Sequence, residues 1–559
     1  MSALSRPIAL PRLIAAAADA EPDRVLVHVT AGESGTADAP APADPGTAGP
    51  GTAGTDHTRA QFHTEALRWA DGFARIGVRR DDLIASMLPT SLTSYHCWIA
   101  TSWVRAPEVP INTQYQGAML AYTLNNSRAG TLVIGGRFLE RLVPIAADLA
   151  FLRTVVVVDP PEDRPALPWR ILSAEEFLDD TRAAAPEVPE YHDTHAVIYT
   201  SGTTGPSKGV LQPWGCLQNF PDAIFPGDRP GDYDDGAIYT CWPTFHASGK
   251  YGLCIAVQHG HRMVLRPAFS MGAFWDDIDR YRVTHATLLV IGNRLLREPI
   301  RDDDADHPLV RAGMYPLIPR YREFEKRFGL RLSAGFGNTE VGYATTTADP
   351  VNNRTVGTPC PGVQVRIVDE LDQEVPPNTL GEIIVRHDLP WRLNKGYLGM
   401  PEATAQAWRN GWFHTGDAGT VDDAGNVYFV DRFKDCVRHR GHNVSSVEVE
   451  NEVIAHDEVA ECACVGVVSE HADPDDPVPD QDIKIVVIRA EGSELGEHEL
   501  AEFLRPRVAD FMLPRYIQFA DTFPRTPNGK VRKVELRERV DGDSPVWDRL
   551  AGRGPADAG

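Results

Sequence analysis

Apolar residues along the chain recur in two rhythms. Over residues 62–76 they return at helical spacing (Leu67, Ala70, Phe73, Ala74), as on the inward face of an amphipathic helix. Short apolar runs at 83–87, 131–134 and 154–158 have the length and β-branched content of buried strands. The pattern continues through strand candidates at 263–265, 286–291 and 330–335, each beside a helical stretch. Such alternation predicts a large α/β domain with mixed sheets and helices over 1–433. Beyond it the texture changes: helical patterns at 448–454 and 497–508 interleave with strand patterns at 461–468, 482–488 and 517–520. A small, mobile α+β domain is therefore expected over 434–545, followed by a frayed tail, 546–559. Residues 31–59 are mostly Gly, Ala, Pro, Thr and Asp, and cannot bury enough apolar surface to offset the entropy of ordering, so a flexible insertion is expected there.

A chain of 559 residues exceeds one ordinary domain, which agrees with this division. Asp and Glu number 78 against 55 Lys and Arg, and a net charge of -23 repels nucleic-acid backbones and anionic membrane surfaces. A single nucleotide is not excluded, because local backbone N–H groups and one or two cations suffice to hold phosphate. No apolar run approaches the roughly 20 residues of a membrane-spanning helix. Residues 1–14 are interrupted by Arg6, Pro7, Pro11 and Arg12 and lack the apolar core of a secretory signal, so a cytoplasmic location is expected. The eight cysteines form no CxxC pair, which favours reduced thiols. Cys462 and Cys464 alternate along a strand pattern and are read as core packing rather than metal ligands.

The chemistry concentrates in five segments. YTSGTTGPSKGV, residues 199–210, follows an apolar strand. Gly202, Gly205 and Gly209 let backbone N–H groups approach an anion, Ser201, Thr203, Thr204 and Ser207 add hydroxyl donors, and Lys208 adds positive charge. Phosphate is the natural guest, although the spacing is not GxxxxGK[ST]. GFGNTE (335–340), GWFHTGD (411–417), DRFKD (431–435) and PRTPNGKVRK (524–533) follow in order. Each alone would pass for a cap, a turn, a solvated charge run or a loop. Their joint occurrence is what makes those separate readings untenable.

Together the five segments resemble the adenylate-forming superfamily of acyl-CoA synthetases, AMP-dependent ligases, adenylation domains and luciferases, and the likeness covers nearly the whole chain. The resemblance implies ATP, Mg²⁺ and CoA, with an acyl-AMP made first and a thioester second. It places Thr200, Ser201, Gly202, Thr203, Thr204, Gly205 and Lys208 around the phosphates, Gly337, Asn338 and Thr339 beside the nucleotide, and Glu340 with Thr200 on the metal. Asp417 and Arg432 would hold the ribose, Lys434 would be the hinge of the small domain, Lys530 would bridge the attacking carboxylate and the phosphates, and Gly441 would line the thiol entry. His246, in WPTFHASGKYG (242–252), would gate the acid. The region from Asn443 to Lys530 is most similar to the crotonobetaine/carnitine-CoA ligase-like branch.

Two departures bear on substrate. The family's Gly-Gly-Ala-Pro-like segment reads AGMYPLIP at 312–319, so Met314 and Tyr315 are expected to alter the pocket wall. Lys250 is read either as a partner for a second anionic or polar group on the substrate or as a solvated helix residue. Adenylation of nitrite to diazotise an aryl amine, loading of a separate carrier protein, and a catalytically silent nucleotide-binding role therefore stay open, as does oligomerisation. The joint presence of Lys208, Glu340, Asp417, Arg432 and Lys530 argues against the silent role.

Overall fold

Three helices begin with the same chemistry. Thr58, Ser91 and Ser173 each accept the N–H three residues on, while Gln61, Ser94 and Glu176 return a side-chain bond to the cap backbone, starting helices Arg59–Arg75, Leu92–Trp103 and Ala174–Leu178. In the computed structural model, the described residues are 7–30, 54–200, 207–228, 232, 235–432, 436–439, 442–470, 480–525, 531–538 and 546–551. They divide into two compact units, one of residues 1–365 with 385–413 and the other of 366–384 with 414–559.

The first unit is α/β and contains two large sheets. In the seven-stranded sheet, Arg170–Ser173, Thr154–Val158, Thr131–Gly135, Ile84–Met87, Glu108–Pro110 and Thr194–Thr200 run parallel, and Lys208–Pro213 closes the edge antiparallel. The nine-stranded sheet has a parallel centre of Arg331–Asn338, Arg311–Gly313, His285–Thr287, Ala237–Thr240, Arg262–Leu265 and Val25–Val29, with antiparallel strands at both edges. Helix Leu92–Trp103 packs on the smaller sheet, Arg59–Arg75 and Ala247–His259 on the larger. Leu92–Trp103 and Ala247–His259 are buried on nearly every face, as helices enclosed by other layers must be.

The second unit is α+β. Its four-stranded sheet has the order Val459–Val468, Gln481–Arg489, Tyr516–Phe519, Trp547–Asp548, with helices Ser446–Ile454 and Glu497–Leu504 covering a core that includes Val449, Ile485, Leu500 and Ile517. Cys462 and Cys464 lie in that core, as their alternation predicts, and all eight cysteines are free. Among the described residues no helix is long and apolar enough to cross a membrane.

Four sequence-based expectations are corrected. Residues 54–59 belong to no flexible insertion: Thr55–Thr58 pairs antiparallel with Val25–Val29, and Arg59 is buried against Glu21. Residues 31–53 lie outside the described residues. The strand expected at 286–291 stops at Thr287, where its neighbour Arg311–Gly313 ends, and continues as the short 3-10 helix Leu289–Ile291. The helix expected to reach 508 ends at Leu504: Arg505 still has helical dihedrals, but Pro506 has no N–H with which to continue the ladder. Residues 546–551 are not frayed, since Trp547–Asp548 adds a strand to Tyr516–Phe519 and Asp548 pairs with Arg515, while residues 552–559 lie outside the described set.

Burial holds His96 and His261 down to about 3, with nearby histidines adding to the effect. Both are then neutral when folded and protonate near the ordinary 6.5 when unfolded, so the unfolded chain binds more protons between about pH 6.5 and pH 3. Stability is expected to be full above pH 6.5 and to fall by roughly 1.4 kcal/mol per pH unit per histidine below it. Urea midpoints measured from pH 7.5 to 5 check this, and His96→Leu with His261→Leu should flatten the slope.

Candidate functional site

The strand that follows the Gly-rich loop is held on both edges. On one side Thr200 lies opposite Lys208, Tyr199 opposite Gly209 and Ile198 opposite Val210. The close approach requires glycine at 209, because a Cβ there would meet Val197 Cγ1 at 2.8 Å and the Tyr199 ring at 3.2 Å. Thr200 Oγ1 donates to the Lys208 carbonyl at 3.4 Å, and Tyr122 donates to that of Ser207 at 3.0 Å. The strand pair thus presents Thr200 and Lys208 side by side at the base of the loop. Ser201, Gly202, Thr203, Thr204 and Gly205 lie outside the described residues.

On the other edge, a segment nearly two hundred residues further on pairs with the same strand. Lys395 N–H donates to the Leu211 carbonyl at 2.8 Å, Leu211 N–H to Gly396 at 2.9 Å and Leu398 N–H to Gly209 at 2.8 Å. Tyr397 is carried under Lys208, whose Nζ stands 4.9 Å from the ring centroid, and the Tyr397 hydroxyl donates to Glu340 Oε1 at 3.3 Å. Lys208, Tyr397 and Glu340 are brought together in this way.

Glu340 sits in a turn with little freedom. Strand Arg331–Asn338 doubles back into Gly342–Thr347, so tightly that a Cβ on Gly337 would lie 2.1 Å from the Gly342 carbonyl oxygen. Asn338 Oδ1 accepts the N–H groups of Glu340 and Val341, both at 3.0 Å. The Glu340 carbonyl accepts from Asn394 N–H and Nδ2, both at 2.9 Å, and the Thr339 carbonyl accepts from Gln212 Nε2 at 2.9 Å. Asn394 is oriented in turn by Gly396 N–H at 2.7 Å and Trp408 Nε1 at 3.2 Å. The result is a cation, an aromatic hydroxyl and a half-buried carboxylate on one rigid frame, a donor set suited to phosphate and a hard divalent ion.

His246 is the N-cap of helix Ala247–His259, its Nδ1 accepting Ser248 N–H at 3.1 Å. Met314 is buried against Gly292, and Tyr315 enters an aromatic group, its ring edge-on to Tyr343 at 5.2 Å, which meets Phe220, itself stacked on Tyr251 at 4.8 Å. Burial pushes the Tyr315 phenol up to about 12, so it acts as a neutral donor. Lys250 is corrected on both readings: it is 1% exposed, with Nζ 2.5 Å from Glu108 Oε2 and 4.2 Å from the Trp98 ring centroid. Its charge is met inside the chain because the helix carrying it is enclosed.

In the second unit, the pairing of Phe413–Val421 with Val427–Arg432 puts Asp417 opposite Arg432, with Arg432 Nε 2.5 Å from Asp417 Oδ1. Asp417 is buried and takes no exposed position, its N–H donating to Thr415 Oγ1 at 3.1 Å. Lys434, Gly441 and Lys530 lie outside the described residues. Tyr397, Asn394, Gln212 and Glu108 went unnoticed in the sequence; no local pattern marks them, since these partners lie 54 to 142 residues away.

Residues 30–398 match the family model of AMP-binding enzymes, and 448–530 that of the AMP-binding enzyme C-terminal domain. The chain is 30% identical over 500 residues to the feruloyl-CoA synthase of an Amycolatopsis species, covering 87% of this chain and 94% of that protein. It is 29% identical over 497 residues to the crotonobetaine/carnitine–CoA ligase of Salmonella arizonae, covering 86% and 92%. The ATP-bound crystal structure of MatB from Rhodopseudomonas palustris superposes with a TM-score of 0.77 at 25% identity, over 95% of this chain and 99% of that one.

Glu108→Gln would leave the Lys250 ammonium buried without its counter-charge, with Lys250 Nζ and Ser86 Oγ, 2.5 Å from Glu108 Oε2 and Oε1, facing a neutral amide. The expected loss is about 3–5 kcal/mol, whereas Glu108→Gln combined with Lys250→Met recovers most of it. Denaturant titration of the single and double variants measures the coupling.

Proposed function

The chain belongs to the AMP-binding enzyme family, and from that premise we propose that it is an ATP-dependent acid:CoA ligase, joining a small or medium carboxylic acid to CoA in the cytoplasm. The observation that carries the reading is the convergence of Lys208, Tyr397, Thr339 and Glu340 beside the strand that leaves the Gly-rich loop.

In the proposed first half-reaction a carboxylate oxygen forms a bond to the α-phosphorus of ATP, the bond from that phosphorus to the bridging oxygen breaks, and pyrophosphate leaves. Lys208 offsets phosphate charge, and the electron-rich face of Tyr397 keeps its ammonium over the site. Glu340, with Thr200, would hold Mg²⁺, which supplies further charge neutralisation when bound. In the second half-reaction the thiolate of CoA attacks the acyl carbonyl and AMP departs. The parts assigned to Asp417 and Arg432 on the ribose, Lys434 as hinge, Gly441 at the thiol entry, His246 at the acid and Lys530 at the reacting groups are carried by the family resemblance. Because Lys250 is occupied by Glu108, a second anion on the substrate has no support from it, and the preference for a carboxylic acid over nitrite rests on the likeness to acid–CoA ligases.

A pyrophosphate-release screen over aliphatic acids, aromatic acids and nitrite, with and without CoA, tests the proposal. A carboxylic acid is expected to release pyrophosphate and, with CoA, to give AMP and thioester; release with nitrite alone would overturn it. Glu340→Gln should lower kcat by about 100-fold or more while leaving the melting temperature in place.

A further inference from the structure

Gln212 belongs to none of the motifs, yet it ends a buried chain of hydrogen bonds whose direction is settled by chemistry. Trp98 Nε1 lies 3.1 Å from His195 Nδ1, His195 Nε2 lies 3.0 Å from Gln212 Oε1, and Gln212 Nε2 lies 2.9 Å from the Thr339 carbonyl. An indole N–H can only donate, so His195 Nδ1 must accept. The imidazole proton then sits on Nε2 and points at Gln212 Oε1, which turns the amide NH₂ towards Thr339. Trp98, His195 and Gln212 are each at most 1% exposed, so water offers no alternative partner.

The relay works only while His195 is neutral, because a protonated ring has no lone pair for Trp98. Burial, with the Lys250 charge added to it, holds His195 well below its usual range. Lys250 stands over the other end of the relay, on the Trp98 ring, and is itself met by Glu108.

We propose that Gln212, oriented by His195 and Trp98, is a positioning residue for ATP, fixing the Thr339 carbonyl and through it the angle at which Thr339 and Glu340 meet the phosphates and their cation. This rests on the reading that the Thr339–Glu340 turn faces the nucleotide. A histidine that merely filled the core would need no particular donor at 212. A positioning role requires one.

That difference is measurable in Gln212→Glu. The side chain at 212 faces His195 on the neighbouring strand and Cys216 on the following helix, with Lys250 acting on His195, and Glu340 and Arg392 acting on Cys216. As a carboxylate, residue 212 would turn an acceptor towards the Thr339 carbonyl; as a neutral acid, favoured by burial, it could donate. Binding of ATP with Mg²⁺ to the full chain is measured by calorimetry from pH 8 to 5.5, each Kd taken relative to wild type at the same pH, with thermal melting confirming folding. Gln212→Glu is expected to bind about ten-fold more weakly at pH 8 and to return to within about three-fold at pH 5.5. Gln212→Met, which keeps the volume and removes both bonds, should be about ten-fold weaker at every pH, and it decides the matter alone should the Glu variant fail to fold. A pH-independent ratio for Gln212→Glu, or wild-type binding by folded Gln212→Met, would overturn the inference. Acid-dependent pyrophosphate release by the wild type is scored separately, so failure of the ligase reading stays distinguishable from failure of this one.

Discussion

The site depends on one backbone ladder. Lys208–Pro213 is hydrogen-bonded along both edges, to Thr194–Thr200 on one side and to the 395–398 segment on the other. Backbone pairing of this kind leaves little freedom in position or angle, so side chains on the strand inherit fixed directions. Lys208 is set over Tyr397 at the end near the loop, and Gln212 reaches Thr339 four residues further along. The same ladder that closes the sheet therefore sets the spacing between a cation and the Thr-Glu turn. In a site where charge must be met at short range, a shift of one ångström is costly.

Around this ladder the chain tolerates polar groups in an interior that would ordinarily exclude them. Glu108 is bonded by Lys250 and Ser86, and Lys250 also faces the Trp98 ring. A lone buried ammonium would be strongly unfavourable, and the ion pair with its added hydrogen bond offsets that cost without making the region more stable than an apolar core would. Such groups instead restrict the ways in which the neighbouring side chains can pack. Trp98, His195 and Trp214 pack their rings together within this region, Trp98 edge-on to His195 and Trp214 tilted against both, with His195 and Trp214 centroids 4.8 Å apart.

The α/β character of the large unit, the α+β character of the small one and the order of the five motifs were legible because each is local. Hydrophobic period distinguishes helix from strand, and glycines beside hydroxyls and a lysine mark an anion loop wherever it sits in space. Ends were less legible. Pro506 stops a helix whose apolar pattern runs on, and Trp547–Asp548 becomes a strand only because Tyr516–Phe519 offers it an edge. Lys250 was misread for a related reason: on a helix one expects a charged residue to face water, and nothing in the neighbouring sequence reveals that this helix is enclosed.

The sequence by itself therefore determined the family likeness, the phosphate-loop chemistry and the identity of Lys208, Thr339, Glu340, Asp417 and Arg432 as candidates, since these depend on residue type and near spacing. Only the tertiary structure decided that Tyr397 links Lys208 to Glu340, that Asn394 and Gln212 hold the Thr339–Glu340 backbone, and that Glu108 neutralises Lys250. Those relations join residues far apart in the chain, and no local pattern records which distant donor will satisfy a given acceptor. Burial imposes the pairing, because once water is excluded each polar group must find its partner within the fold.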